Sequence, residues 1–385
     1  MKKIGIICEY NPFHNGHIYH LQKIKEMYND SMIILVMSSS FTMRGELSLL
    51  TKWDKTYLAL KYGVNLVIEL PTFYSTNSAD IFAKGALYIL NKLECDYLVF
   101  GSESNDPHLL LEYASLELNN KEYDVKVKEY MDQGLNYPTS IGKALEDLTG
   151  NIINSPNDLL GLSYVKEILK ENYSLTPITI KRTNDYKETK ITQDISSATS
   201  IRKAIINKED ISKSVPIETN ERIIKYDLEK KYFALLKYKI LSDIDNLNDY
   251  LDVSEGLDNL IKKNIIKAFN YQELINLIKT KRYTYNRLNR MFNHILLNIK
   301  KDDIEKRNKI DYIRVLGFDN LGRKYLKEIR KKTTIPIITN YSEINSPNLS
   351  FELYVTMIYL EIINRPDLII EELKSIPIEL ENNND

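Results

Sequence analysis

Three of the five histidines of this 385-residue chain, His14, His17 and His20, fall within seven residues. They lie in the stretch Gly5-Ile-Ile-Cys-Glu-Tyr-Asn-Pro-Phe-His14-Asn-Gly-His17. An apolar run leads into a loop holding Pro12 and Gly16 and then into an amphipathic pattern, so the pair sits at a predicted strand-to-helix turn. A helix N-terminus presents unpaired N–H groups and a partial positive charge, which favours a phosphate. Gly16 has no side chain to keep a nucleotide from the backbone. His14 and His17 can each donate a hydrogen bond to oxygens that gain charge when an α-phosphate is attacked and pyrophosphate leaves. His20, one turn further, faces either the same cleft or solvent. A lone histidine is more often a core or surface residue; the concentration here favours chemistry. A protein-held metal is disfavoured, because the pair lacks acidic or cysteine ligands at the spacing of a His-Glu-x-x-His helix. Magnesium that accompanies a nucleotide is compatible, since it binds mainly through phosphates.

A second helix start with phosphate-binding chemistry is Ile195-Ser-Ser-Ala-Thr-Ser-Ile201-Arg202. Ser196, Ser197 and Thr199 offer caps and hydroxyls, and Arg202 offers a fork for β- and γ-phosphates. By itself this is also an ordinary capped helix with an exposed base. Further along, Lys279 to Lys301 contains Lys279, Lys281, Arg282, Arg287, Arg290, Lys300 and Lys301 and no acid, with Tyr283, Tyr285 and Phe292 interleaved. Bases that contact phosphates, with rings that stack on unpaired nucleotides, suit an RNA loop held open. The plainer reading is a solvated helix face backed by a core stripe of Leu288, Phe292, Ile295 and Leu296. One helix can serve both.

Positioning these groups requires a frame. Short branched runs predict strands at Lys3–Cys8, Met32–Met37, Val64–Leu70, Tyr97–Phe100 and Thr176–Lys181. Helical patterns alternate with them, which predicts an α/β, Rossmann-like parallel sheet with ligands beyond the carboxyl ends of its strands. From about Asp106 helices dominate, with Pro138 and Pro156 at helix starts. After Glu218 nearly everything reads as helix until Tyr312–Leu316 and Ile335–Thr339, and the tail from Glu379 is expected to fray. The chain exceeds the roughly 250–300 residues at which one core stops growing. It is therefore divided into a catalytic unit, 1–210, and a mostly α-helical unit, 211–385. Cys8 and Cys95, far apart in apolar surroundings, suit a reducing cytoplasm, and no run reaches membrane-spanning length. The apolar run after Met1 is too short for a signal peptide. A net charge of -1 argues against a polyanionic partner only if charge is evenly spread. The acid-free stretch shows that it is not.

The two phosphate motifs, in this order around a predicted parallel sheet, resemble the nucleotidyltransferase superfamily with the His-x-Gly-His signature. Asn11-Pro-Phe-His-Asn-Gly-His17, Arg44-Gly-Glu46, Lys52-Trp53, Leu66-Val-Ile-Glu-Leu-Pro71, Phe100-Gly-Ser-Glu103, Pro156-Asn157-Asp-Leu-Leu-Gly161 and Lys279-Thr-Lys-Arg-Tyr-Thr284 narrow the resemblance. Together they are similar to the tRNA(Met) cytidine acetate ligase family over nearly the whole chain. The resemblance implies that ATP activates acetate to acetyl-adenylate. The acetyl group then passes to the wobble cytidine of elongator tRNA(Met), forming N4-acetylcytidine. It further implies that ATP is held by Ile7, Cys8, Glu9, Tyr10, Asn11, Pro12, Phe13, His14, Asn15, Gly16, His17 and His20, and by Gly101, Asn157 and Arg182. Read as residues, Gly101 is a bare backbone position ending the fourth strand, Asn157 is a cap or a ligand, and Arg182 ends the fifth strand, alternatively paired with Asp185 or Glu188. The chain departs from the family pattern at Ser38-Ser39-Ser40-Phe41, at Met43 and Leu47, and where Tyr186 precedes Lys187, changes that bear on the substrate side, the acetate pocket above all, and leave the ATP motifs intact. Glu46 and Glu103 are candidate general bases or structural groups. A small-molecule adenylyltransferase explains both phosphate motifs and leaves the basic helical part without a purpose. A non-catalytic RNA-binding protein predicts no ATP turnover.

Overall fold

The computed structural model describes residues 1–381 except 152, 154, 183–194 and 226. Five strands form as the branched runs predict: β1 (Lys2–Cys8), β2 (Ser31–Ser38), β3 (Leu66–Leu70), β4 (Tyr97–Ser102) and β5 (Thr176–Lys181). They pair in parallel in the order β5-β4-β1-β2-β3. Their side chains alternate between two covered faces, as period-two geometry requires. Ile33, Leu35 and Met37 pack in one cluster with Leu21, Ile24 and Leu58, while Met32, Ile34 and Val36 pack in the other with Phe82 and Leu87. The strand order reverses between β1 and β4, so the crevice lies beyond the carboxyl ends of those two strands. The histidine loop follows β1, and β4 carries Gly101.

The sheet is not purely parallel. β6 (Ile313–Asp319) runs antiparallel to β3, and β7 (Ile337–Ile338) and β8 (Ile378–Leu380) each pair in parallel with β6. The physical reason is the edge: without β6, β3 would present a row of unpaired N–H and C=O groups. Asn65 sets the junction, accepting from the Ile33 amide at 2.7 Å and donating to Asp319 at 2.7 Å. The sheet therefore runs across the expected division at residue 210. The tail is also more ordered than its composition suggests, since Glu379 lies in β8; residues 382–385 are outside the described residues. Most of the remaining C-terminal half is helical, and among the described residues no helix is long and apolar enough to cross a membrane.

A buried cluster of charges locks β6 to the first half. Lys52 Nζ lies 3.2 Å from Glu69 and 2.6 Å from Glu372; Arg314 lies 3.0 Å from each of the same carboxylates. Tyr341 Oη and Trp53 Nε1 complete the hydrogen bonding around Glu372. Burial pushes the Glu372 carboxyl up, but Lys52 and Arg314 outweigh it and hold the group down to about 2. Removing one member leaves an uncompensated charge in the interior, which costs about 3–5 kcal/mol. Arg314→Met is expected to lower the unfolding free energy by about that amount in urea titration; a change below about 1 kcal/mol would show that the cluster carries no stability.

Candidate active site

His14 and His17 are built into the start of the helix Asn15–Met27. His14 is its N-cap, and its Nδ1 accepts from the Gly16 amide at 3.0 Å, while His17 Nδ1 accepts from the His14 amide at 3.1 Å. This reciprocal pair satisfies helix-start donors as a capping box does. It also sets the tautomer. Burial, with Arg182 and Arg202 adding to it, pushes His14 down to about 3, and burial, then His14, pushes His17 well below the ordinary imidazole range. A neutral imidazole whose Nδ1 accepts carries its proton on Nε2. Both rings are thus fixed as Nε2–H donors, stacked with centroids 3.8 Å apart. A Cβ on Gly16 would meet His14 Nδ1 at 2.9 Å, so glycine is needed there for the His14 ring.

Both rings line a cleft of about 820 Å³. Ile7, Cys8, Glu9, Tyr10, Asn11, Gly16, His20, Gly101, Asn157, Arg182, Ser197, Thr199 and Arg202 line it too. Pro12, Phe13 and Asn15 do not: Phe13 is buried in the core, and Asn15 donates to the Lys213 carbonyl. His20 belongs to the cleft, with its buried Nε2 unpartnered among the described residues; burial, then Arg182, holds it down to about 4. Ser197 caps the helix Ala198–Ile206 as expected. Arg202 is less free than the sequence suggests, because it donates to the Asn11 carbonyl at 2.8 Å, to Glu46 at 3.1 Å and to Thr199 at 3.3 Å. Glu46 thus has a structural partner.

Across the switch point, Asn157 is not a cap. Ser155 holds that position for the helix Pro156–Lys170, and Asn157 donates to Glu103. Glu103 also accepts from the Asp158 amide and lies 3.8 Å from Arg182, so it too is structurally engaged. The other partners suggested for Arg182, Asp185 and Glu188, and the Tyr186-Lys187 departure lie outside the described residues. Gly101 sits inside β4, paired with Ile180, and a Cβ there would meet Arg182 at an ordinary 3.4 Å. Sequence reasoning passed over Asp158. Its buried carboxylate accepts from Ser102, Ser155 and the amides of Glu103 and Ser104, which pins the loop after β4; it stood in the quoted Pro156–Gly161 segment. It passed over Lys55 as well, a fully buried ammonium that donates to the carbonyls of Glu9, Ser38 and Ser39. Ser38 and Ser39 thus engage Lys55 through their backbone carbonyls.

The third wall comes from the helix Tyr285–Leu296 and the turn before it. Arg282, Arg287 and Arg290 line the same cleft, whereas Lys279 and Lys281 lie outside its wall. Lys279 sits over the exposed ring of Tyr285. Tyr283 and Phe292 are 4% and 0% exposed, which removes them as stacking platforms and leaves Tyr285. The helix docks on the Arg44-Gly-Glu loop: Asn289, Arg290 and Asn293 donate to the carbonyls of Arg44, Met43 and Gly45. Gly45 has φ +73° and a Cβ there would meet the Arg290 amide at 2.5 Å, so this approach requires glycine.

Two outcomes are expected. His14→Asn keeps a good N-cap but loses the Nε2 donor, so activity at the nucleotide should fall about 10²–10³-fold with the fold intact. The depressed His14 stabilises the wild type above pH 6.5, and this contribution is lost as pH falls toward about 3. Thermal melts of wild type should therefore decline more steeply below pH 6.5 than those of His14→Asn. Gly101→Ala should fold normally, because the protein leaves room for the methyl group. Weakened ATP binding by calorimetry would place the nucleotide against that strand; unchanged binding would place it elsewhere.

The chain matches the family model described as HIGH Nucleotidyl Transferase over residues 1–372. It is 41% identical over 386 residues to a tRNA(Met) cytidine acetate ligase of Clostridium perfringens, covering 93% of this chain and 95% of that protein. To the ligase of the same name from Anoxybacillus flavithermus it is 38% identical, covering 95% and 96%. The crystal structure of apo Thermotoga maritima TmcAL superposes with a TM-score of 0.90 at 30% identity, covering 99% of this chain and 100% of that one. The form of the same protein bound with alpha-thio ATP gives a TM-score of 0.87 at 29% identity with the same coverage. With the donor histidines, the switch-point cleft and the basic wall already in place, these likenesses over the full length show that the chain belongs to the tRNA(Met) cytidine acetate ligase family of HIGH nucleotidyl transferases.

Proposed function

We propose that this protein uses ATP to activate acetate as acetyl-adenylate and transfers the acetyl group to the wobble cytidine of elongator tRNA(Met), giving N4-acetylcytidine. The observation that carries the reading is the convergence in one cleft of two fixed Nε2–H donors from the helix start after β1 and three arginines from the Tyr285 helix and the turn before it. An acetate oxygen attacks the α-phosphate in line, and pyrophosphate leaves with its electron pair. His14 and His17 donate to the phosphate oxygens on which charge grows, without first having to lose or gain a proton. The mixed anhydride makes a carboxylate into a good acylating group for an amine. Ile7 to Asn11, His14, Gly16, His17, His20, Gly101, Asn157, Arg182, Ser197, Thr199 and Arg202 are the proposed nucleotide contacts, while Pro12, Phe13 and Asn15 stand outside the cleft. Among the described residues no three His, Cys, Asp or Glu side chains converge as a metal cage. A magnesium ion fits here as a companion of the phosphates, where it supplies neutralisation of their charge. Action on tRNA and two free cysteines point to the cytoplasm.

Two of the wall's arginines are already engaged by a neighbouring turn, Arg282 3.0 Å from the Glu255 carboxylate and Arg287 donating to the Ser254 hydroxyl. RNA phosphates would exchange for those partners, which makes binding local and salt-sensitive. The test is to incubate the protein with labelled acetate, ATP and tRNA and then digest the RNA. Acetylcytidine with pyrophosphate release supports the reading. Pyrophosphate formed only with a phosphorylated small-molecule acceptor would replace it with an adenylyltransferase. Arg282→Glu with Arg287→Glu should weaken tRNA binding by at least about tenfold and flatten its salt dependence. Acetate-dependent ATP–pyrophosphate exchange should survive, and its loss would remove the RNA surface from this wall.

A further inference from the structure

Asp252 lies in the turn before the helix Leu257–Ile265, at φ +66°, and lines the cleft beside Arg287 and Arg290. Its side chain is 26% exposed, and behind it stands His294, wholly buried. His294 Nε2 is 2.8 Å from the Thr76 carbonyl oxygen. A carbonyl has no proton to give, so Nε2 carries the hydrogen. The other ring nitrogen, Nδ1, then faces Asp252 Oδ2 at 3.3 Å. Nδ1 makes no hydrogen bond among the described residues, so the cleft wall holds a carboxylate with a buried imidazole close behind it.

The other carboxylates that line the cleft are engaged. Glu9 accepts from the Met43 amide at 2.6 Å, and Asp80 and Glu117 hold Lys166 at 2.7 and 3.1 Å. Burial pushes the Asp252 carboxyl up, and His294, with Arg290 and Arg287, outweighs burial and holds it below the usual range. It is an ionised acceptor among cations. An exocyclic cytosine amine is a weak nucleophile that must lose a proton as it is acylated, and it pairs well with a carboxylate.

We propose that Asp252 receives the acceptor amine, accepting its hydrogen bond and then its proton, with His294 as a positioning residue. This rests on the acetyl-transfer reading above. The amine nitrogen attacks the acyl carbon and the C–N bond forms. The C–O bond to AMP breaks with its electron pair going to the AMP phosphate, and the amine proton passes to the Asp252 carboxylate. A uracil would set its O4 against the same carboxylate, so the contact also selects for cytosine.

Asp252→Asn keeps the shape and cannot take the proton. Acetate-dependent ATP–pyrophosphate exchange should stay within about twofold of wild type, while single-turnover transfer from preformed acetyl-adenylate to tRNA should slow by about 10²-fold or more. Binding of tRNA should hold or tighten, because a negative charge is lost. His294→Gln keeps a donor for Thr76, and it should lower kcat of transfer with KM for tRNA unchanged. Transfer at the wild-type rate by Asp252→Asn would overturn the assignment, as would loss of exchange together with transfer. Failure of the wild type itself to acetylate RNA would instead sink the acetyl-transfer reading, and the role of Asp252 with it.

Discussion

Lys52, Glu69, Arg314 and Glu372 bring two positive and two negative groups out of water at one point, and none of them can be buried there alone. Glu69 belongs to β3 and Lys52 to the helix Lys52–Lys61 that precedes it. Arg314, 245 residues after Glu69, arrives on β6, and Glu372 arrives later still, on the helix Leu368–Lys374. Neutrality of the cluster is satisfied only when β6 lies beside β3. Once β6 is there, the sheet loses its open edge and β8 closes over it. The helical segments between residues 217 and 307 must then leave the first half and return to it. They fold back over the mouth of the sheet.

That return gives the cleft its third wall. The Tyr285 helix meets the Arg44-Gly-Glu loop backbone to side chain, with no Cβ at Gly45 to hold them apart. His294 reaches the Thr76 carbonyl on the same docking face. The histidine-bearing helix start and the arginines of the basic segment are thereby brought from different parts of the chain to face one cavity. The histidine cap illustrates how structural and chemical roles coincide. The hydrogen bonds that start the helix are the ones that assign the ring protons, so the helix cannot form without aiming its donors.

Short branched runs made the first five strands legible, because many of their side chains are buried in a sheet covered on both faces. Ser197 was readable as a cap because capping is local. Pairing partners were not readable in the same way. Arg202 looked free until Glu46 closed on it, and Asn157 looked like a cap until Glu103 took its amide. Tyr283 and Phe292 were open to reading as stacking rings, yet the turn before the helix buries the first and the inward face of the helix buries the second. A period of 3.6 says which residues share a face but not which way that face is turned.

The sequence by itself determined the two helix starts, the parallel sense of the first five strands and the presence of a basic segment, since each depends on residues close together in the chain. Tertiary structure alone decided that β6 runs antiparallel on β3, that the basic segment faces the histidines, and that Asp252 stands in the same cleft with His294 behind it. These are encounters between groups far apart in sequence. They are selected by burial and by the requirement that buried charges and buried N–H and C=O groups find partners, and neither condition can be evaluated until the whole chain is packed.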